Sequence, residues 1–578
     1  MSPMKPVRLP AAATVALPRW GIFALCLLYI VPGLVGRAPW KGDDAAGFGI
    51  MWTMAQGGWA DWLWPHIVGL PMPEEGPLSF WLGALCIKLF GSSVGAPAAA
   101  HISTALAFAL GAGAVWYSTY LLGRRAEAQP LKLPFGGQPD ARDFGRTLAD
   151  GALLIYLGCL GLLVRSHEAS AESLQIGLIA LLIYFCCRLF EQTDAQPKRS
   201  ALKLGLVLGL LILCRGWVLP LGLFLTLNGL SLYLKQAQRL AYLWLLSLPV
   251  MAGICASWLL IISLSHPYDS SPYAGWMLWN YRQILNPSLD NLAYLFRNGI
   301  WFTWPAWPFA AWAIYAWRRQ ERALHIALPL SFIVCFMILA CLNRYTEESI
   351  LLPLIPAIAI LAAFGLPTMK RSTINAIDWF AITVLSGVAI FIWLGWLAQM
   401  TGWPVQLAHK ARELAPDFQA EFSWLSFSFA LIISLIWLRL VAWRVARRPA
   451  VLWRAVVLSS GGLILCWSLL LSLWLPWIDA RISYEKTALE LRTHLPLDYR
   501  CVQANIGPSQ RASFAYFGLI HFAGFSDHDC QLFLTQSSRR KAQAADLPAE
   551  FRAEDWQIIW QGHRSADKDE LFTLYQRK

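Results

Sequence analysis

The sequence predicts an all-α polytopic membrane domain of about 13 transmembrane helices, followed by a small C-terminal α/β domain. Three observations carry that prediction. Of 578 residues, 57% are hydrophobic and only 14% charged, against roughly 25% charged in a soluble protein. Apolar runs near the roughly 20 residues that a bilayer core requires recur from Trp20 to Trp477. The net charge of +12 sits in short Arg/Lys clusters between those runs, which is a topology signal and not a nucleic-acid surface.

Met1–Arg19, with Lys5, Arg8 and Arg19, is placed in the cytoplasm. The run after Arg19 lacks a small-residue cleavage site and reads as a retained first span, Trp20–Val35. Span two is Pro97–Leu122, ending before Arg124-Arg125 and a polar loop that runs to about Arg146. Spans three and four are Leu148–Val164 and Ser173–Phe190. Spans five and six share Leu202–Leu234, broken at Cys214-Arg215-Gly216. Span seven, Ala241–Leu264, opens into a second outer segment, His266–Asn298. Spans eight to thirteen are Gly299–Trp317, Leu324–Leu342, Ser349–Leu366, Ala376–Met400, Phe422–Ala442 and Val451–Trp477. This alternation puts every strong basic cluster inside except Arg215, and places the C-terminus outside. The membrane domain is residues 1–478 and the tail is 479–578. In the tail, Tyr484–His494 reads as a helix, and Cys501–Ile506, Gln531–Thr535, Gln557–Gln561 and Leu571–Tyr575 read as strands. Cys501 and Cys530 are the two cysteines away from apolar spans, and a disulfide between them suits an oxidising compartment.

The first outer loop, 36–96, is the chemically dense stretch. It holds Asp43-Asp44, Glu74-Glu75 and the tryptophans Trp40, Trp52, Trp59, Trp62, Trp64 and Trp81. Indole rings at that density mark a membrane–water interface. Its segments Ala45–Gly58 and Leu78–Phe90 read as helices lying along that interface. A helix start accounts for Asp43-Asp44 as well as chemistry does, and Glu74-Glu75 in a Pro-Gly turn reads first as solvated. Arg165, Arg215 and Arg344 fall at outer span ends, against the topology rule, and together suit a shared phosphate. Glu172, at the outer start of span four, is a candidate because it is ionisable beside the membrane. His266 and His101 are isolated.

These residues resemble a family. Trp40-x-x-Asp43-Asp44, Gly58-Trp59, Glu74-Glu75-Gly76-Pro77-Leu78-x-x-Trp81 and Lys88-Leu89-Phe90-Gly91 are similar to the first outer loop of the C-type membrane glycosyltransferases (GT-C fold). The branch in question holds the aminoarabinose transferase and the protein O-mannosyltransferases. Gly209–Pro220, Trp304–Pro308 and Arg344–Ala362 extend the resemblance over most of the membrane part. Two departures stand out. The family's Glu-Lys-Pro-Pro is Glu74-Glu75-Gly76-Pro77 here, and the family histidine of the second outer segment has only Asn280 or His266 nearby.

The resemblance implies a bacterial inner-membrane enzyme with its active site on the periplasmic face. Its donor would be a polyprenyl-phosphate-linked sugar, and its acceptor an envelope lipid, glycan or protein. Asp43 would be the catalytic base, with Asp44 and Glu74 beside it. Arg215, Arg282, Arg344 and Tyr345 would meet the donor phosphate, and Glu75, Arg165 and Glu172 the acceptor. The resemblance fixes no cofactor, and a divalent metal held by Glu74 and His266 is left open. One carboxylate suffices chemically. A phosphate is already a good leaving group, so a base for the acceptor proton and cations for the departing phosphate complete the set. A transporter or flippase of a lipid-linked saccharide is the alternative, but no inverted repeat supports it. A phosphotransferase would need a stronger metal or histidine constellation.

Overall fold

The computed structural model describes residues 7–578 apart from 135, 192–195, 266–270, 285–286, 288, 344–346, 417, 447–450, 525–528, 539–554 and 568. The chain enters through α1 (Arg19–Ile30). Its first outer loop then folds as α2 (Asp43–Gln56), α3 (Trp59–Leu63), a hairpin of β1 (His66–Ile67) and β2 (Leu70–Pro71), and α4 (Leu78–Val94). Next come α5 (Ala96–Arg124), α6 (Ala141–Leu157), α7 (Leu160–Arg165), α8 (Ala171–Leu189), α9 (Pro197–Arg215) and α10 (Val218–Tyr233). A π turn, Leu243–Ser247, joins α11 (Ala237–Tyr242) to α12 (Leu248–Ser265). The second outer segment carries α13 (Ser271–Arg282) and α14 (Leu289–Phe302). It leads to α15 (Ala306–Trp317), α16 (Leu324–Leu342), α17 (Leu354–Ala363), α18 (Arg371–Thr401), α19 (Val405–Leu414), α20 (Trp424–Ala446) and α21 (Arg454–Leu473).

Each expected span falls on helix, but the helices differ in kind. Among the described residues seven helical runs are long and apolar enough to cross a membrane: α5, α8, α11–α12, α16, α18, α20 and α21. The apolar helices α1, α4, α10 and α17 are shorter. Several expected spans are interrupted, and two of the breaks meet. Leu148–Val164 breaks at Gly158-Cys159, where Leu160 N donates to Trp304 O at 3.0 Å. Gly299–Trp317 breaks at Thr303–Pro305, because Pro305 has no N–H for a helical ladder. Small residues let α5 and α8 cross closely: a Cβ at Gly177 of α8 would lie 2.8 Å from Ala107 O of α5.

The tail continues from α21 through α22 (Leu475–Ile482) into α23 (Glu485–Thr493), β3 (Val502–Asn505), α24 (Pro508–Phe517), β4 (Leu532–Ser538), β5 (Trp556–Gly562) and β6 (Glu570–Arg577). The sheet order is β3-β4-β6-β5, with β3 parallel to β4 and the other neighbours antiparallel. Tyr484, Phe514, Phe572 and Leu574 centre its own apolar core. Cys501 and Cys530 are disulfide-bonded, their Cα atoms 5.0 Å apart, and so tie the entries of the parallel strands together. The sequence reading anticipates α23 and all four strands but not α24, whose alternating small and aromatic residues (SQRASFAYF) carry no strong helical period.

Candidate active site

α2 begins at a turn that only glycine adopts freely: Gly42 has φ +100°. Asp43 and Asp44 form its first turn, and neither side chain caps it. One helical step of about 100° separates their fates. Asp44 is fully buried. Its carboxylate accepts from Arg37 Nη1 at 2.6 Å, Trp40 N at 2.8 Å and Ala169 N at 2.7 Å, and His101 Nε2 lies 3.1 Å away. Burial alone would raise its pKa, but Arg37 and His101 outweigh it and hold the carboxyl well below the usual range. Arg37 also donates to His167 O at 2.7 Å, so the pair clamps the 166–170 loop to the start of α2.

Asp43 turns the other way. Its carboxylate is about half exposed (54%) and meets Arg165 Nη1 at 2.5 Å. Arg165 also reaches Glu168 at 2.9 Å and Glu348 at 3.3 Å. Asp43 lines a cavity of about 400 Å³ with Glu74, Glu75, Arg215, Trp279 and Glu347. Arg215 ends α9 and ion-pairs Glu172 of α8. The break after it is held by Gly216 (φ +147°), where a Cβ would lie 2.5 Å from Asn280 Oδ1. Asn280 itself is buried and accepts from Trp217 N at 3.0 Å.

The Glu74-Glu75 turn is seated on the same break. Gly76 N donates to Cys214 O at 3.1 Å, and a Cβ on Gly76 would lie 2.2 Å from Leu213 O. Burial raises the pKa of Glu74 and, beyond the opposing pull of Arg215, of Glu75. A carboxyl thus occupies the position where the family pattern has lysine, with its Oε2 sealed from solvent. The described charges lining the cavity are mostly acidic, with Arg215 the cation among them and Arg165 ion-paired to Asp43.

The structure therefore brings Asp43, Glu74, Glu75, Arg165, Glu172 and Arg215 to one site, and sets Asp44 behind it. Arg282 is exposed on α13 and does not line the cavity. Arg344, Tyr345 and His266 lie outside the described residues; their neighbours Asn343 and Glu347 line the cavity. No group of three or more His, Cys, Asp or Glu among the described residues is placed to hold a metal ion. Sequence reasoning passes over Arg37, Glu168, Trp279 and Glu347. Arg37 alone carries a signal, as a further basic residue at an outer span end.

No family model matches the chain. It is 24% identical over 411 residues, 66% of its length, to "Undecaprenyl phosphate-alpha-4-amino-4-deoxy-L-arabinose arabinosyl transferase 2" of Pseudomonas fluorescens, and the match spans 62% of that relative. The crystal structure of ArnT from Cupriavidus metallidurans in the apo state superposes with TM-score 0.64 at 17% identity. The same protein bound to undecaprenyl phosphate gives 0.65 at 16%. Both comparisons cover 96% of this chain and 97% of ArnT. The chain has the ArnT fold, closed by a small C-terminal sheet domain.

Proposed function

We propose that the chain is an integral membrane glycosyltransferase. It moves a sugar from a polyprenyl-phosphate donor to a lipid, glycan or protein acceptor, with Asp43 as the base. The observation that carries this reading is the half-exposed Asp43 carboxylate on the same cavity as the Arg215 guanidinium. The similarity to an undecaprenyl-phosphate-dependent arabinosyl transferase supports it.

In the reaction an acceptor hydroxyl oxygen bonds to the anomeric carbon as the bond from that carbon to the phosphate oxygen breaks. The hydroxyl proton passes to Asp43, and the polyprenyl phosphate leaves with its charge facing Arg215. A positioned base of this kind contributes about 10²–10⁴-fold. Arg165 orients Asp43 through their ion pair. By the family resemblance Arg344 and Tyr345 would also meet the donor phosphate, and Glu74, Glu75 and Glu172 shape the acceptor side.

In this reading the thirteen-span topology puts the site and the tail on one face, the periplasmic one. The test is sugar transfer by the purified chain in lipid, from undecaprenyl phosphate-α-4-amino-4-deoxy-L-arabinose to lipid A. Release of undecaprenyl phosphate that depends on added acceptor is expected. Donor left intact across lipid, glycan and peptide acceptors would overturn the reading. Cysteine labelling from outside should reach Lys578 and spare the Gly136 loop; the reverse pattern would overturn the topology.

A further inference from the structure

Two separate strands of chain deliver the site's carboxylates, and each is gripped by the tail. The strand entering α2 is held by Asp479 of α22: Oδ1 accepts from Trp40 Nε1 at 2.6 Å, and Oδ2 from Ala38 N at 3.1 Å. Lys41, two residues before Asp43, lies 3.5 Å from Asp567 and 3.7 Å from Glu570. The hairpin that runs into Glu74-Glu75 is held by Arg511 of α24. Its guanidinium donates to Ile67 O at 3.0 Å, Val68 O at 2.5 Å and Ala523 O at 2.9 Å.

Arg511 is only 5% exposed, and burying a guanidinium against neutral carbonyls is costly. What it holds explains the placement. Val68 has φ +43°, a left-handed conformation that a β-branched residue rarely adopts. Its carbonyl and that of Ile67 converge there on Arg511, whose planar fork can take both. Between these two grips, α2 lies directly on α24. A Cβ on Gly49 would sit 2.4 Å from Ala512 Cβ, and Tyr516 meets Phe48 and Trp52 edge-on at 4.9 and 5.0 Å.

We infer that Asp479 and Arg511 are positioning residues of the site, and that the C-terminal domain is the bracket setting Asp43 and Glu74-Glu75 at their separation across the cavity. The inference rests on the glycosyltransferase reading for its kinetic consequence but not for its structural one. Asp479 acts through Trp40, whose backbone N–H also binds Asp44, and so fixes the first turn of α2. Arg511 acts through the hairpin, from which Met72 N bonds back to Pro65 O and Glu75 N to Met72 O.

The test compares wild type, Arg511→Ala, Arg511→Lys and Asp479→Asn as full-length protein in lipid nanodiscs, by hydrogen exchange and by transfer from the undecaprenyl-phosphate donor. Exchange should quicken in α2 and residues 66–75 while α5, α8 and α16 keep wild-type protection. The value of kcat should fall roughly 10–100-fold, the scale of a displaced reacting group, with KM for the donor changed far less. Arg511→Lys should recover part of both. If Arg511→Ala fails to accumulate, Asp479→Asn and Tyr516→Leu carry the same comparison. Wild-type exchange and kcat in these variants would overturn the bracket, as would loosening spread evenly over the membrane helices. A wild type that transfers nothing fails the glycosyltransferase reading instead, and the exchange comparison still decides the bracket.

Discussion

Asp43 and Asp44 are chain neighbours with opposite surroundings, one half exposed at a cavity and one sealed against Arg37 and His101. Substitution should separate them cleanly. Asp43→Asn keeps size and hydrogen-bonding capacity but loses the base, so turnover should fall at least about 10²-fold while the protein accumulates normally. Near-normal turnover would move the base to Glu74 or Glu172. Asp44→Asn leaves Arg37 buried without its counter-charge, a loss on the order of 3–5 kcal/mol. It should show as reduced accumulation and a lower Tm in detergent; an unchanged Tm would sink the clamp. Glu168 adds a pH dependence. Burial pushes its carboxyl up from 4.5 to about 7, against the pull of Arg165. The folded state then holds a proton that the unfolded chain has released, so the stabilising contribution is complete below pH 4.5 and declines as pH rises through about 7. The Tm advantage of Glu168→Gln over wild type should therefore grow from pH 5 to pH 8, and parallel Tm curves would remove the assignment.

At the scale of elements, glycines decide how closely the site's segments approach. α2 passes the 166–170 loop at Gly47, where a Cβ would fall 1.8 Å from Ala169 O. The acidic turn rests on the end of α9 at Gly76, where a Cβ would fall 2.2 Å from Leu213 O. Both contacts are with backbone, which cannot rotate aside. Gly76→Ala should thus lift the Glu74-Glu75 turn off the Arg215 break. We expect a loss of about 1–3 kcal/mol, the usual scale of overpacking, together with weakened donor binding. Wild-type affinity for undecaprenyl phosphate and unchanged Tm would show that the turn has room to move.

At the scale of the whole molecule, the membrane part and the tail form one site-building unit, since Ala512 of α24 enters the membrane part's apolar core while the tail keeps a core of its own. The disulfide Cys501–Cys530 braces the tail's parallel strand pair. Removing a crosslink of this kind typically costs about 2–4 kcal/mol. Cys501→Ser should therefore lower the tail's resistance to proteolysis and, through α24, reduce turnover without touching the cavity. Intact mass under non-reducing conditions should show these two thiols bonded. Free thiols at both positions, or full turnover after reduction, would count against the coupling.

Much of this was written in local sequence. Runs of apolar residues of bilayer length become helices because a chain in lipid must satisfy its own backbone, and α16 matches its expected bounds, Leu324–Leu342, residue for residue. The acidic pairs stand out among the tryptophans, but Asp43-Asp44 reads equally as a helix start and Glu74-Glu75 first as a solvated turn. The family resemblance is what makes them site residues. That Asp43 and not Asp44 faces the cavity, beside both Glu74 and Glu75, was not written in the local pattern. The first turn of α2 is rotated by Arg37, His101 and Ala169 N, the last two 57 and 125 residues from Asp44, and no local pattern records such partners. Arg511 was hidden more completely, because it binds backbone carbonyls, which every residue carries alike. Periodicity therefore determined the apolar helices, α23 and the strands of the tail, but not α24. The tertiary structure alone decided which acids are exposed to react and what holds them there, since long-range hydrogen bonds, and not propensity, set those orientations.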